Sequence, residues 1–167
     1  KEADDIAARF STFSGDWDFA VSGFKGTARE PLITPNQDSS ALNATYMLQE
    51  TIGFEAQFTG DPTLLKWESL HGTQSGTGFD AAVAGLEYTL YGAFGQVWDL
   101  GLIAEGQYDT RPQAAAERFY SAGLRLVLND VKDTSFLALI SQDQKQEQSL
   151  IAFEASRRLN DWSSLEL

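Results

Sequence analysis

There is no cysteine in the 167 residues, and only one histidine and one methionine. Without thiols there is no disulfide, no thiolate zinc site and no cysteine nucleophile. A single imidazole also rules out a histidine-rich metal centre. Basic residues are scarce: 12 Lys and Arg stand against 24 Asp and Glu, a formal charge of −12. A phosphate backbone would find little here to neutralise it, so nucleic acid is excluded as a partner. Long apolar runs are missing too. The longest, Ala81 to Leu86 counting Gly85, is too short for a transmembrane helix or a signal-peptide core. Yet 43% of the chain is hydrophobic, on a length sufficient for one domain or one large sheet.

That apolar content is distributed with a period of two rather than 3.6. Trp98, Leu100, Leu102, Ala104, Gly106 and Tyr108 alternate with Asp99, Gly101, Ile103, Glu105, Gln107 and Asp109. The same split sets Ile52, Phe54, Ala56 and Phe58 against Gly53, Glu55, Gln57 and Thr59, and Ile151, Phe153 and Ala155 against Glu154 and Ser156. No segment carries a helical stripe. The pattern predicts nine strands, at 5–14, 17–29, 45–59, 63–71, 78–94, 98–110, 118–129, 134–143 and 149–160, and a tenth from Ser163. Most exceed the usual strand length of soluble sheets and reach the ~9–11 residues of a tilted membrane-crossing strand.

Connections alternate between short ones at Gly15-Asp16, Gly60-Asp61-Pro62, Gly95-Gln96-Val97, 129–133 and Asn160-Asp161, and longer polar ones at 30–44, 72–77, 110–117 and 143–148. Gly, Asn and Asp at the short sites suit tight hairpins. Turns short at one end and long at the other are the habit of outer-membrane barrels. Aromatic placement points the same way. Trp17, Phe58, Phe94, Trp98 and Trp162 flank short turns, while Tyr46, Tyr108 and Tyr120 lie toward the long loops, as two interfacial girdles would. The polar face carries Glu55, Lys66, Glu68, Glu87, Glu105, Arg125, Glu154 and Arg158, which then line a lumen.

The stretches Gly85–Gly92, Asp99–Glu105 with Tyr108-Asp109, Gly123–Asp130 and Glu154–Asp161 resemble porin-like outer-membrane β-barrel proteins of Gram-negative bacteria. The resemblance covers roughly residues 46–167. It rests on strand-and-turn patterns, so it implies architecture and location but transfers no catalytic or binding residue. The first strand would begin on the long-loop side, and the last stops at Leu165-Glu166-Leu167 without the terminal aromatic that the resemblance implies. Further strands are therefore expected on each side, as in a longer barrel; a loop or plug in place of the first strand is the other possibility.

Pairing Phe94 with Trp98 across the hairpin would set Glu87 opposite Glu105, with Arg125 on the next strand able to bridge them. Opposed carboxylates need a cation or a proton between them. The group reads as a charged constriction that selects solutes, or as an ion-pair ladder that stiffens the lumen. Ser69 and His71 share a face near the long-loop rim; as a lipid hydrolase they would be nucleophile and base, with Glu50 as orienter, and otherwise His71 is a rim residue. The scattered Asp38, Asp109, Asp143 and Glu147 lack calcium-loop spacing, and Gly72–Gly78 lacks the Lys and helix of a phosphate loop.

The expected fold is therefore all-β, an antiparallel up-and-down meander forming a complete or incomplete transmembrane barrel, with about nine or ten strands in this chain. The expected role is a porin-like passive channel of the bacterial outer membrane, with lipid or lipopolysaccharide outside, a small polar solute inside and no cofactor. A structural or surface-interaction barrel using loops 30–44 and 110–117, the rim hydrolase and a soluble ligand-binding barrel are the competing expectations.

Overall fold

A computed structural model of the chain describes residues 4–36, 41–114, 116–145 and 147–167. Strands β1 (Ile6–Ser14), β2 (Trp17–Thr27), β5 (Leu48–Gly60), β6 (Thr63–Gln74), β7 (Thr77–Ala93), β8 (Trp98–Asp109), β9 (Arg118–Val127), β10 (Ser135–Asp143), β11 (Ser149–Asn160) and β12 (Ser163–Glu166) form one ten-stranded sheet in chain order. Each strand is antiparallel to its neighbours. Residues Leu32–Pro35 (β3) and Leu42–Thr45 (β4) form a separate hairpin. No helix occurs among the described residues, and the edge strands β1 and β12 make no contact with each other there.

The β3–β4 hairpin lies inside the segment expected to be a long loop. Its strands are too short, and too interrupted by Pro31, Pro35 and Asn36, to show a period. A second difference concerns the connection expected at 72–77. It is the tight turn Ser75-Gly76, with φ of 50° and 84°, and β6 and β7 run on to meet it. At the other end, residues 128–134 make one of the longer connections. Loop length is thus less cleanly sorted by end than the sequence suggests.

Register follows from the turns. The hairpin closes with Ala93, not Phe94, opposite Trp98, and the ladder shifts between Leu90 and Ala93, where Gly92 adopts φ 64°. Together the closure and the bulge move the pairing so that Glu87 lies opposite Ile103 and Glu105 opposite Gly85. The two carboxylates expected to face each other are therefore displaced by two residues along the strands. Because the displacement is even, both stay on the same face.

Burial runs opposite to that of a soluble sheet. Along Leu86–Leu90 the apolar Leu86, Tyr88 and Leu90 are exposed, while Glu87 and Thr89 between them are half-buried. The same inversion marks Phe119–Leu124 and Ala138–Gln142. Among the described residues no second sheet packs against either face. The strongly buried ones among them are few and mostly small or polar: Ala20, Gly26, Ala28, Thr51, Gly53, Gln74, Phe79, Gly101, Thr134 and Asp143. A conventional apolar core between layers is absent among the described residues.

Candidate functional site

The strand ladders put Lys66, Glu68, Glu87, Glu105, Arg125, Glu154 and Arg158 on the polar face together with Arg9 and Glu55. Two ion pairs there skip a strand. Arg125 on β9 reaches over β8 to Glu87 on β7, Nη1 to Oε1 3.1 Å. The path is open because Gly101 stands directly opposite Arg125; a Cβ at that position would lie 3.3 Å from Glu87 Oε1 and 3.4 Å from Arg125 Cβ. Arg9 on β1 likewise reaches over β2 to Glu55 on β5, Nη2 to Oε2 2.7 Å and Nε to Oε1 3.2 Å. Beneath it lies Ala20, 2% exposed. A small residue on the middle strand is the sequence signal for such bridges, and alternation alone does not reveal which Glu each Arg selects.

The carboxylates that do stand directly opposed are Glu55 and Glu68, across β5 and β6. Arg9 supplies the cation that opposition requires, and Lys66 flanks the same depression of about 450 Å³. Glu105 accepts from Gln107 Nε2 at 2.6 Å. Lys66, Glu68 and Glu154 make no ion pair with another described residue. Arg158 differs in place: its guanidinium binds Asp133 at 2.7 Å and the Val131 carbonyl at 2.8 Å, fastening β11 to the 128–134 turn rather than facing mid-sheet.

At the long-loop end residues 110–114 turn inward across the polar face. The Arg111 guanidinium grips Asp109 at 2.6 Å, reaches Glu30 at 3.5 Å, and sits 5.6 Å above the Phe79 ring. Hydrogen bonding to Asp109 raises the Arg111 pKa above its ordinary value. Gln113 donates to Gln74 at 3.0 Å, and Phe79 is 3% exposed beneath this cover. Lys145 and Glu117, 2.9 Å apart, tie the 144–148 connection to the same structure; each holds the other charged, Glu117 below and Lys145 above its ordinary range. A depression of about 670 Å³ lies beneath, lined by Leu70, Val83, Phe119 and Leu150 with Gln107 and Arg111.

Of the scattered acidic residues, Asp109 is held by Arg111 and Asp143 accepts from the Lys145 backbone at 2.7 Å. Asp38 lies outside the described residues, among which no group of three or more His, Asp or Glu is arranged to hold a metal.

The opposite face is mostly apolar along the long strands, with charged groups toward its margins: Arg157 lies 3.9 Å from Asp130 at the short-turn end, and more pairs gather at the long-loop end. Lys25 pairs with Glu50 at 2.5 Å, and His71 Nδ1 with Asp80 at 2.7 Å. The Arg118 guanidinium lies 5.9 Å from the Tyr108 ring. Glu50, expected as the partner of His71, is drawn instead to Lys25 directly across from it. At the other margin Trp17 stacks on Phe19 (5.6 Å) and meets Phe58 (5.2 Å), Trp98 is half-buried, and Phe94 and Trp162 project from turns.

The chain matches no family model, no curated protein and no solved structure with which it was compared.

Proposed function

We propose that this chain belongs to an outer-membrane β-barrel whose polar face lines a cation-preferring, porin-like channel. The observation that carries the proposal is the inverted burial. Ile6, Phe10, Val21, Ile52, Phe54, Trp67, Leu86, Leu102, Leu124, Ile140, Ile151 and Phe153 all lie exposed on one face. Water-exposed apolar patches on monomers rarely exceed a few hundred Å², whereas hydrocarbon makes such a face favourable. The band fits in height: Ala82 to Leu90 spans ~27 Å at ~3.4 Å per residue, or ~20 Å at a ~40° tilt, near the ~25 Å band of bacterial barrels. Charged pairs toward the margins, with Trp17, Phe58 and Trp98 at the short-turn one, suit the two interfaces. Neither β1 nor β12 can stay open in hydrocarbon, so closure of the sheet belongs to the proposal.

The sign of selectivity follows from the polar face. Glu55, Glu68, Glu87, Glu105 and Glu154 outnumber Arg9, Lys66 and Arg125, so the lumen favours cations. Reconstitution into a planar bilayer tests this, with discrete conductance steps and a reversal potential on the cation side expected in a salt gradient. A purified chain that is monomeric and soluble without detergent would overturn the membrane reading. The inward cover formed by Arg111, Glu30 and Gln113 favours a second reading, a closed barrel whose loops bind a partner. Membrane insertion without conductance selects it.

A further inference from the structure

We propose that Ser69, His71 and Asp80 form a hydrolytic triad on the apolar face that cleaves acyl esters of membrane lipid, a proposal that rests on the membrane reading only for its substrate. His71 stands directly opposite Asp80 on β7, and Nδ1 to Oδ1 is 2.7 Å. With Nδ1–H donating a hydrogen bond to that carboxylate, Nε2 presents its lone pair outward as a base. Ser69 precedes His71 by two residues on β6 and shares its face, two strand steps or ~7 Å away, a gap that side chains leaning along the strand can close. Trp67 Nε1 donates to Ser69 Oγ at 3.3 Å and no hydrogen bond joins Ser69 to His71, so attack requires the hydroxyl to swing toward Nε2, with its proton not engaged by Trp67.

Position supplies the second half of the case. All three residues line one shallow depression of about 360 Å³, whose remaining walls include Val21, Phe54, Ala82 and Tyr108. An acyl chain fits those walls. His71 and Asp80 sit where the apolar band meets the Lys25–Glu50 pair, the depth at which lipid ester carbonyls lie beneath their headgroups. No ion pair of Glu50 competes for His71, because Lys25 holds it.

The chemistry balances with water as the only co-reactant. Ser69 Oγ attacks the ester carbonyl carbon while His71 Nε2 takes the hydroxyl proton. The ester C–O bond then breaks, and the departing alkoxide leaves as an alcohol carrying that proton. Water, deprotonated by Nε2, attacks the acyl-serine carbonyl, and the Ser69 oxygen leaves with the proton returned. The products are a fatty acid and a lysolipid.

The test uses the whole chain folded in detergent micelles and, separately, in phosphatidylglycerol–phosphatidylcholine vesicles. A fluorophosphonate probe should label Ser69 in micelles, located by peptide mass spectrometry, and vesicles should release fatty acid. Ser69→Ala and His71→Ala should each lower release at least ~100-fold and Asp80→Asn should lower it measurably, while Ser141→Ala on the polar face leaves it unchanged. Asp80→Asn retains the volume of the side chain and keeps the test valid if Ser69→Ala folds poorly. Folded protein that leaves Ser69 unlabelled, or release that survives Ser69→Ala, overturns the triad. Labelling in micelles without insertion into vesicles would instead sustain the triad and refute the membrane reading.

Discussion

Replacing Leu86 by Arg separates lipid from water as the solvent of the apolar face. Leu86 is the middle member of Ala82, Ala84, Leu86, Tyr88 and Leu90, and it is 41% exposed. It lies four strand steps from each end of that run, ~14 Å along the strand and ~10 Å in depth at a ~40° tilt, which in a membrane-spanning strand would be the bilayer midplane. Arg at that depth costs ~2–4 kcal/mol, a ~30- to ~900-fold loss in the folding equilibrium. The comparison is Ile103→Arg, half-buried on the polar face opposite Glu87. Its guanidinium gains Glu87 and Glu105 as neighbours, so ~1 kcal/mol of lost burial is the expected cost. The assay is reversible urea unfolding in phospholipid vesicles, followed by tryptophan fluorescence. In water the order reverses: an exposed Leu86→Arg costs under ~0.5 kcal/mol and the inward Ile103→Arg costs more. A larger loss for Ile103→Arg would refute the lipid-facing assignment.

Gly72→Ala should destabilise the sheet by ~2–3 kcal/mol or more, because the added Cβ would sit 2.1 Å from the Glu50 carbonyl oxygen and 2.9 Å from Thr51 Cα, both backbone. Gly101→Ala meets side-chain atoms at 3.3 and 3.4 Å and backbone only at 3.7 Å, an ordinary contact, and should stay within ~0.5 kcal/mol of the parent in the same unfolding assay. Arg125→Ala should shift the reversal potential further toward cations by releasing the Glu87 carboxylate, with a loss of stability under ~1 kcal/mol for a pair that water still reaches. Asp130, which accepts from Thr134 N at 2.8 Å and Oγ1 at 2.9 Å, is held below its ordinary value mainly by the backbone bond from Thr134. A lowered carboxylate contributes stability above its unfolded value and loses it as pH falls through the lower folded one. The stability gap between the parent and Asp130→Asn should therefore close as acid is added below 3.8, and a gap independent of pH would contradict the assignment.

Much of the architecture is legible from order alone. A one-residue slip turns every side chain of a strand to the other face, so the period of two assigns each residue's face without any knowledge of its neighbours. Hence the long strands and the shared face of Lys66, Glu87 and Arg125 follow from reading along the chain. A slip of two leaves every face unchanged, and here reading along the chain goes wrong. Closure of the hairpin at Ala93 instead of Phe94 and the one-residue bulge at Gly92 add up to just such a shift and part Glu87 from Glu105.

Partners across strands depend on the same hidden register. Glu50 and Asp80 both stand near His71, and the choice of Asp80 follows from Lys25 lying opposite Glu50. The bridges from Arg9 to Glu55 and from Arg125 to Glu87 need distances over an intervening strand, which no local pattern encodes. The inward fold of residues 110–114 depends on Phe79 and Gln74, more than thirty residues earlier. Periodicity is a local property of the backbone and survives in one dimension. Which charge meets which is set by turn geometry and side-chain reach, and those exist only once the strands lie side by side.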